Sequence, residues 1–168
     1  MKALVKTFIM GLVIFNIYIG FLFYNVAIPV KVTISETLII SRLSSHFGIP
    51  IEIAKIFYSH GKLNNEDPVL LASIAQVESN NNPNAVSPKK YSGRMQSSTV
   101  KLPDTVEILN GTTKLVEFKK LAKGDMHKAL QMYNGGVRPH VYNSGECRQY
   151  ASKVLTIYNQ AKPAIYSL

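Results

Sequence analysis

Two hydrophobic patterns divide this chain. From Thr7 to Val30 the sequence is almost unbroken apolar and carries no formal charge. After Lys31, apolar residues recur instead at steps of three and four, cut into segments by glycine, proline and asparagine. A bilayer-spanning helix needs about 20 apolar residues, and the first run supplies them despite Asn16 and Asn25. Lys2 and Lys6 precede it and Lys31 follows at once. The short basic N-terminus is therefore expected to stay in the cytoplasm while the rest of the chain crosses. A cleaved signal peptide has an apolar core of about 7–15 residues and an exit site of A-x-A type. Here the run is longer, and its candidate site, Asn25-Val26-Ala27, lacks the small first residue. Residues 1–31 are predicted to be an uncleaved transmembrane signal anchor, with a cleaved secreted form and a buried core helix as alternatives. The expected location is the inner (cytoplasmic) membrane, single-pass, with the remainder in the periplasm or cell-wall space.

Helical periodicity organises that remainder. Lys31 to Ser35 is a connector. Ser35 caps a helix from Glu36 that carries Leu38, Ile39, Ile40 and Leu43 and is broken by Gly48 and Pro50. A second helix is expected from Pro50 to His60, closed by Gly61. Asp67-Pro68 opens a third, with aspartate at the cap and proline in the first turn. Leu71, Ile74, Ala75 and Glu78 then fall on one stripe. Residues 80–98, rich in Asn, Ser, Pro and Gly, form a loop. A long helix covers Asp104 to Lys123, bent or interrupted near Gly111. Another restarts at Gly124-Asp125, continues through Tyr133 and ends at Gly135-Gly136. Residues 137–144 are loop, and a last helix covers Gly145 to Gln160 with Tyr150, Val154, Leu155 and Tyr158 turned inward. Strand alternation is weak and no repeat is present. The predicted organisation is one all-α domain (67–160) behind a transmembrane helix, joined by a connector with N-terminal helices (32–66) and followed by a tail (161–168).

Composition narrows the function classes. A length of 168 residues suits one ordinary domain plus an appendage. Charged residues make up 17%, against roughly 25% in soluble domains, and the apolar N-terminus explains much of the deficit. The net charge of +9 favours a polyanionic partner: nucleic acid, anionic lipid or an anionic wall polymer. The densest basic clusters are pairs such as Lys89-Lys90 and Lys119-Lys120, with no basic stretch interleaved with aromatics, so nucleic acid is not expected. Cys147 is the only cysteine. It excludes an intrachain disulfide and leaves a buried apolar residue, a nucleophile or a dimer link as its roles. His46, His60, His127 and His140 lack metal-ligand spacing. No metal or cofactor is expected.

Glu78 is the position where this pattern points to chemistry. A carboxylate that closes an apolar stripe is costly to bury in charged form. One reading turns it to solvent at the helix end. The other places it in a partly apolar cleft, where desolvation raises its pKa and lets it hold a proton near neutral pH, as a general acid must.

The segments around Glu78 carry a resemblance. Val77-Glu78-Ser79-Asn80-Asn81-Asn82-Pro83-Asn84-Ala85-Val86-Ser87-Pro88 resembles the signature of the lytic transglycosylases, in which Glu-Ser precedes a polar stretch. Ser92-Gly93-Arg94-Met95-Gln96 is similar to the family's Gly-Leu-Met-Gln. Glu107-Ile108-Leu109-Asn110-Gly111 through Leu115 resembles its Asn-Ile-x-x-Gly helix. Ala129-Leu130-Gln131-Met132-Tyr133-Asn134-Gly135-Gly136 resembles Ala-x-x-x-Tyr-Asn-x-Gly, and Cys147 through Leu155 the closing Tyr-x-x-Lys-Val helix. Each motif alone is weak, but five in family order over about Asp67 to Tyr158 are specific.

The resemblance implies a lysozyme-like fold and cleavage of peptidoglycan glycan strands, with Glu78 as catalytic acid/base. It implies that Ser79, Met95, Gln96, Tyr133 and Asn134 line the site or hold its floor. Packing for Met95, bracing for Gln96 and a helix-ending role for Asn134 are their structural alternatives. It further implies that the bond between N-acetylmuramate and N-acetylglucosamine is cut with a 1,6-anhydro product, by a one-carboxylate route without metal. The remaining acids offer no obvious second catalyst. The basic charge then gains a use at the cleft rim, facing wall carboxylates. Arg94 and Ser97 depart from the family pattern, which has apolar residues there, and Arg94 is expected to turn outward or sit near wall carboxylates. The alternatives are a hydrolytic muramidase resembling goose-type lysozyme, and a non-catalytic wall-binding component of an envelope-spanning secretion, pilus or phage assembly.

Overall fold

A computed structural model describes residues 36–167, and the anchor predicted over 1–31 lies outside these described residues. They fold into seven helices: α1 (36–47), α2 (Ile51–Asn64), α3 (Pro68–Ser79), α4 (Asp104–Leu121), α5 (Met126–Gly135), α6 (Pro139–Tyr142) and α7 (Gly145–Tyr166). The described part is thus all-α, with two isolated bridges in the long loop, Val86 with Ser92 and Ser92 with Ser98. Among the described residues no helix is long and apolar enough to cross a membrane.

The sequence of α3 dictates its place. Asp67 caps it by accepting the Val69 N–H at 3.0 Å, and Pro68 occupies the first turn, where no N–H is needed. Every residue from Pro68 to Ala75 is buried, and a helix apolar on all sides belongs inside. Burying a side chain such as Leu71 or Ile74, both fully enclosed, stabilises the fold by about 2 kcal/mol. Around this rod, α2 and α7 pack directly, α4 lies against α2 and α5, and α5 lies against α7. Leu43, Phe47, Ile53 and Phe57, which precede Asp67, share the same core. The compact unit comprises Ile39–Leu168.

Four local expectations are corrected. First, α2 continues past Gly61 to Asn64 and ends on Asn65 in the left-handed conformation, φ 54°. Gly61 is a contact point and not a stop: a Cβ there would lie 2.8 Å from the Glu66 carbonyl. Second, α4 is one continuous helix through Gly111, where a Cβ would lie 2.7 Å from Met95 Sδ. Third, residues 137–144 contain the single turn α6. Fourth, α7 runs to Tyr166 with Pro163 inside it, so most of the expected tail is helix. Tertiary contacts hold that last stretch. Ala161 and Ile165 are buried, and Arg42 Nη1 donates to the Ile165 carbonyl at 3.1 Å. Tyr158 and Tyr166 donate their hydroxyls to Asp67 at 2.9 and 2.8 Å, with Lys162 Nζ at 3.4 Å.

Candidate active site

The stripe on α3 ends at the surface. After eight buried residues, Gln76 to Ser79 become half-buried, and the helix stops on Asn80 and Asn81. Both adopt φ near +57° (56° and 58°) and return their N–H groups to Gln76 and Ala75. Asparagine tolerates this left-handed geometry better than other non-glycine residues, which explains the Asn run directly after Glu78-Ser79. The reversal sends residues 80–103 back beside the helix end and leaves Glu78 in the lining of a cleft of about 480 Å³. Its lining includes Glu78, Gln96, Lys114, Tyr133, Asn134 and Glu146, with Ser87 to Lys89 and Tyr91 along the loop side.

Glu78 behaves as a proton-holding acid in this setting. Burial pushes its carboxyl up from 4.5 to about 7, against the hydrogen bond from Tyr150 and the positive charge of Lys114, with Glu107 adding to the rise. Tyr150 Oη donates to Glu78 Oε1 at 2.7 Å. Tyr150 is itself buried and its own pKa is raised, first by burial and then by Glu78, so it remains a donor at neutral pH. A single carboxyl half protonated near neutrality, held by one donor and open on one side, is the arrangement general acid–base catalysis requires.

The loop facing Glu78 is held from behind. Ser79 Oγ donates to the Arg94 carbonyl at 2.7 Å. Tyr133 Oη donates to the Met95 carbonyl at 3.1 Å, and the Met95 N–H donates to Glu107 Oε1 at 2.8 Å. Gln96, at φ 50°, donates through Nε2 to the Gly93 and Ala85 carbonyls at 2.7 and 3.1 Å. Glu107 is fully enclosed, and burial raises its pKa in spite of the bonds from Met95 and Ser97. Gly93, at φ 91°, is required beside it, because a Cβ would sit 2.7 Å from the Glu107 carboxyl carbon.

The sequence-derived residues therefore separate into two groups. Gln96, Tyr133 and Asn134 join Glu78 at the cleft, although Gln96 spends its amide donor on the loop, and Asn134 accepts from Cys147 Sγ at 3.3 Å. Ser79 and Met95 sit behind the lining as braces, with Met95 wholly buried against Gly111. Cys147 is the buried free thiol of the sequence-based reading. Arg94 does not turn outward. It is buried, pairs with Asp104 (Nε to Oδ1 3.1 Å, Nη2 to Oδ2 3.4 Å) and donates to the Asn81 carbonyl. Ser97, the other departure, donates to the Glu107 carbonyl at 2.9 Å. Both unusual residues are satisfied inside the fold and tie the loop to α4.

Tyr150, Lys114, Glu107 and Glu146 were not singled out for the site by sequence. Tyr150 carried a signal in the closing Tyr-x-x-Lys-Val motif, and Lys114 and Glu107 lay in the Asn-Ile-x-x-Gly segment, but spacing alone could not aim them at Glu78. Among the described residues no group of three His, Cys, Asp or Glu is placed to hold a metal ion.

Comparison with known proteins gives one finding. No curated protein and no solved structure matches the chain. A family described as "Transglycosylase SLT domain" matches residues 56–154, a stretch containing Glu78, the bracing loop, Lys114, Tyr133 and Tyr150. With its helical architecture and cleft, this match covers more than half of the sequence, and the chain accordingly belongs to the transglycosylase SLT domain family, a lysozyme-like, transglycosylase-type fold that acts on peptidoglycan.

Proposed function

We propose that this protein is a peptidoglycan lytic transglycosylase with Glu78 as its acid/base. The observation that carries the reading is the Glu78 carboxyl, raised to about 7 in the cleft lining and hydrogen-bonded by Tyr150. In its protonated form Glu78 donates to the oxygen linking N-acetylmuramate to N-acetylglucosamine, and the C1–O bond breaks. The muramoyl N-acetyl group assists at C1. Glu78, now a carboxylate, takes the proton of the same sugar's C6 hydroxyl as O6 bonds to C1, which regenerates the acid and leaves a 1,6-anhydro ring. The attacking hydroxyl is tethered to the reacting sugar, so the step gains the intramolecular advantage. Tyr150 stabilises the anionic Glu78 between the two transfers, and the Arg94–Gln96 loop fixes the wall of the cleft. The N-terminal apolar run supports an anchored enzyme whose domain works on the wall side of the inner membrane.

The test is mass spectrometry of muropeptides released from purified peptidoglycan by the full chain in detergent, with Glu78→Gln alongside. The expected products are lighter by one water than their hydrolysed equivalents and are absent with the variant. Turnover by folded Glu78→Gln would overturn the assignment. A hydrolytic muramidase is the second reading, favoured by Glu146, which lines the same cleft as Glu78. It requires two carboxyl groups flanking the bond, so it predicts reducing-end products and their loss in Glu146→Gln.

A further inference from the structure

Lys114 is an unusual occupant of an acid's cleft. It rises from α4 into the cleft that holds Glu78, and its stem is half-buried. Its ammonium lies 4.5 Å from the centre of the Tyr133 ring, 5.8 Å from Tyr91 and 5.9 Å from Phe118. Three aromatic faces fix the cation in place, through an attraction that strengthens as water is removed. Among the described residues it donates no hydrogen bond and forms no ion pair, although an ammonium carries three donors. The cleft's carboxyls do not satisfy it. Glu78 acts on it only from a distance, as Glu78 has Tyr150 as its hydrogen-bond partner, and Glu146 lies outside ion-pair distance. A desolvated cation with free donors, set against aromatic rings in the same cleft as Glu78, is built to receive an anion that arrives with the substrate. Burial lowers the lysine's pKa and Glu78 draws it back up.

We propose that Lys114 is the residue that recognises a carboxylate on the substrate, carried by the muramoyl 3-substituent next to the scissile bond, and so makes the cleft select acidic glycan strands over neutral ones. The assignment rests on the glycan-cleaving reading of the cleft and deepens it. Two groups share the chemistry: the lactyl carboxylate of peptide-free strands, and the stem-peptide carboxylates of substituted strands. Lys89 also lines the cleft, but it is exposed and lies over no aromatic ring among the described residues.

The experiment uses the full chain in detergent with four strand preparations: peptide-free and peptide-bearing glycan, each either intact or with its carboxylates converted to methylamides. Dissociation constants and turnover are both measured, for wild type, Lys114→Met and Lys114→Arg. Methionine keeps an apolar stem on Tyr133, and arginine keeps the charge, so a packing defect separates from loss of the cation. Wild type is expected to bind the intact form of one strand type about ten-fold more tightly than its amidated form, and whichever type shows the preference names the source of the carboxylate. That preference is expected to vanish in Lys114→Met and to persist in Lys114→Arg. Any general effect of the lysine on Glu78 falls equally on intact and amidated strands and cancels in the ratio. A wild-type ratio near one for both strand types, or an unchanged ratio in Lys114→Met, overturns the assignment. Turnover with a flat binding ratio removes the Lys114 role alone. A Lys114-dependent ratio without turnover keeps that role and removes the catalytic reading.

Discussion

Replacing Glu78 with glutamine should stabilise the fold, by an amount that grows with pH. In the unfolded chain this carboxyl titrates at its ordinary value of 4.5, and in the folded chain at about 7. Between those values the native protein keeps a proton that the unfolded chain releases. Wild-type stability therefore falls as pH rises through that window, and above it the full cost of an ionised carboxylate in a desolvated place is present. At about 1.4 kcal/mol per pH unit the cost reaches ~3 kcal/mol, or about 2–3 kcal/mol once the solvent-facing side of the cleft is allowed for. Glutamine keeps the shape, cannot ionise and still accepts the Tyr150 hydrogen bond. The two proteins should unfold at equal temperatures near pH 4 and separate by roughly 6–12 °C near pH 8. Thermal unfolding followed by circular dichroism from pH 4 to 8 measures this. Parallel curves, or a variant less stable than wild type at pH 8, would refute the account of a desolvated acid.

Three further outcomes follow from the same contacts. Tyr150→Phe removes the donor that holds the Glu78 anion, so the acid's pKa should climb further against the remaining pull of Lys114. The high-pH limb of kcat/KM should then move upward by about one pH unit, and a limb that stays in place or moves down in a pH–rate profile contradicts the role given to the phenol. Gly111→Ala gains helix propensity yet drives a methyl into Met95, and urea midpoints should show a net loss of about 1–3 kcal/mol; a neutral or stabilising result means the Met95 loop can move away from α4 freely. Arg94→Leu restores the apolar residue common in the family but strips Asp104 and the Asn81 carbonyl of their donor. It should cost about 2 kcal/mol in the same assay, with part recovered by adding Asp104→Asn, and equal stability of Arg94→Leu and wild type would show the pair to be idle.

The sequence was a good guide where local chemistry and tertiary packing agree. The Asp67-Pro68 start of α3, its apolar stripe and Glu78 at its end are all written in consecutive residues. Gly61 and Gly111 misled because breakers report backbone preference, whereas here each is overridden by a contact made elsewhere, at Glu66 and Met95, and the tail expected after Gln160 is held helical by the Asp67 cluster. The site was legible only in part for the same reason. Tyr150 reaches Glu78 from 72 positions away, and no spacing rule aims one at the other. Arg94 looked misplaced because its partner, Asp104, lies across a loop whose path the pattern did not define.

The cluster on Asp67 has a practical consequence for anyone trimming this protein. The family match ends at residue 154, and a fragment cut there would look complete by motif, with Glu78, Tyr133 and Tyr150 all retained. It would nonetheless lose Ala161 and Ile165 from the core and remove Tyr158, Lys162 and Tyr166 from the cap of the helix that carries Glu78. The minimal folded unit is thus longer than its signature, and a truncation made by motif would deliver an intact set of site residues on an unanchored helix.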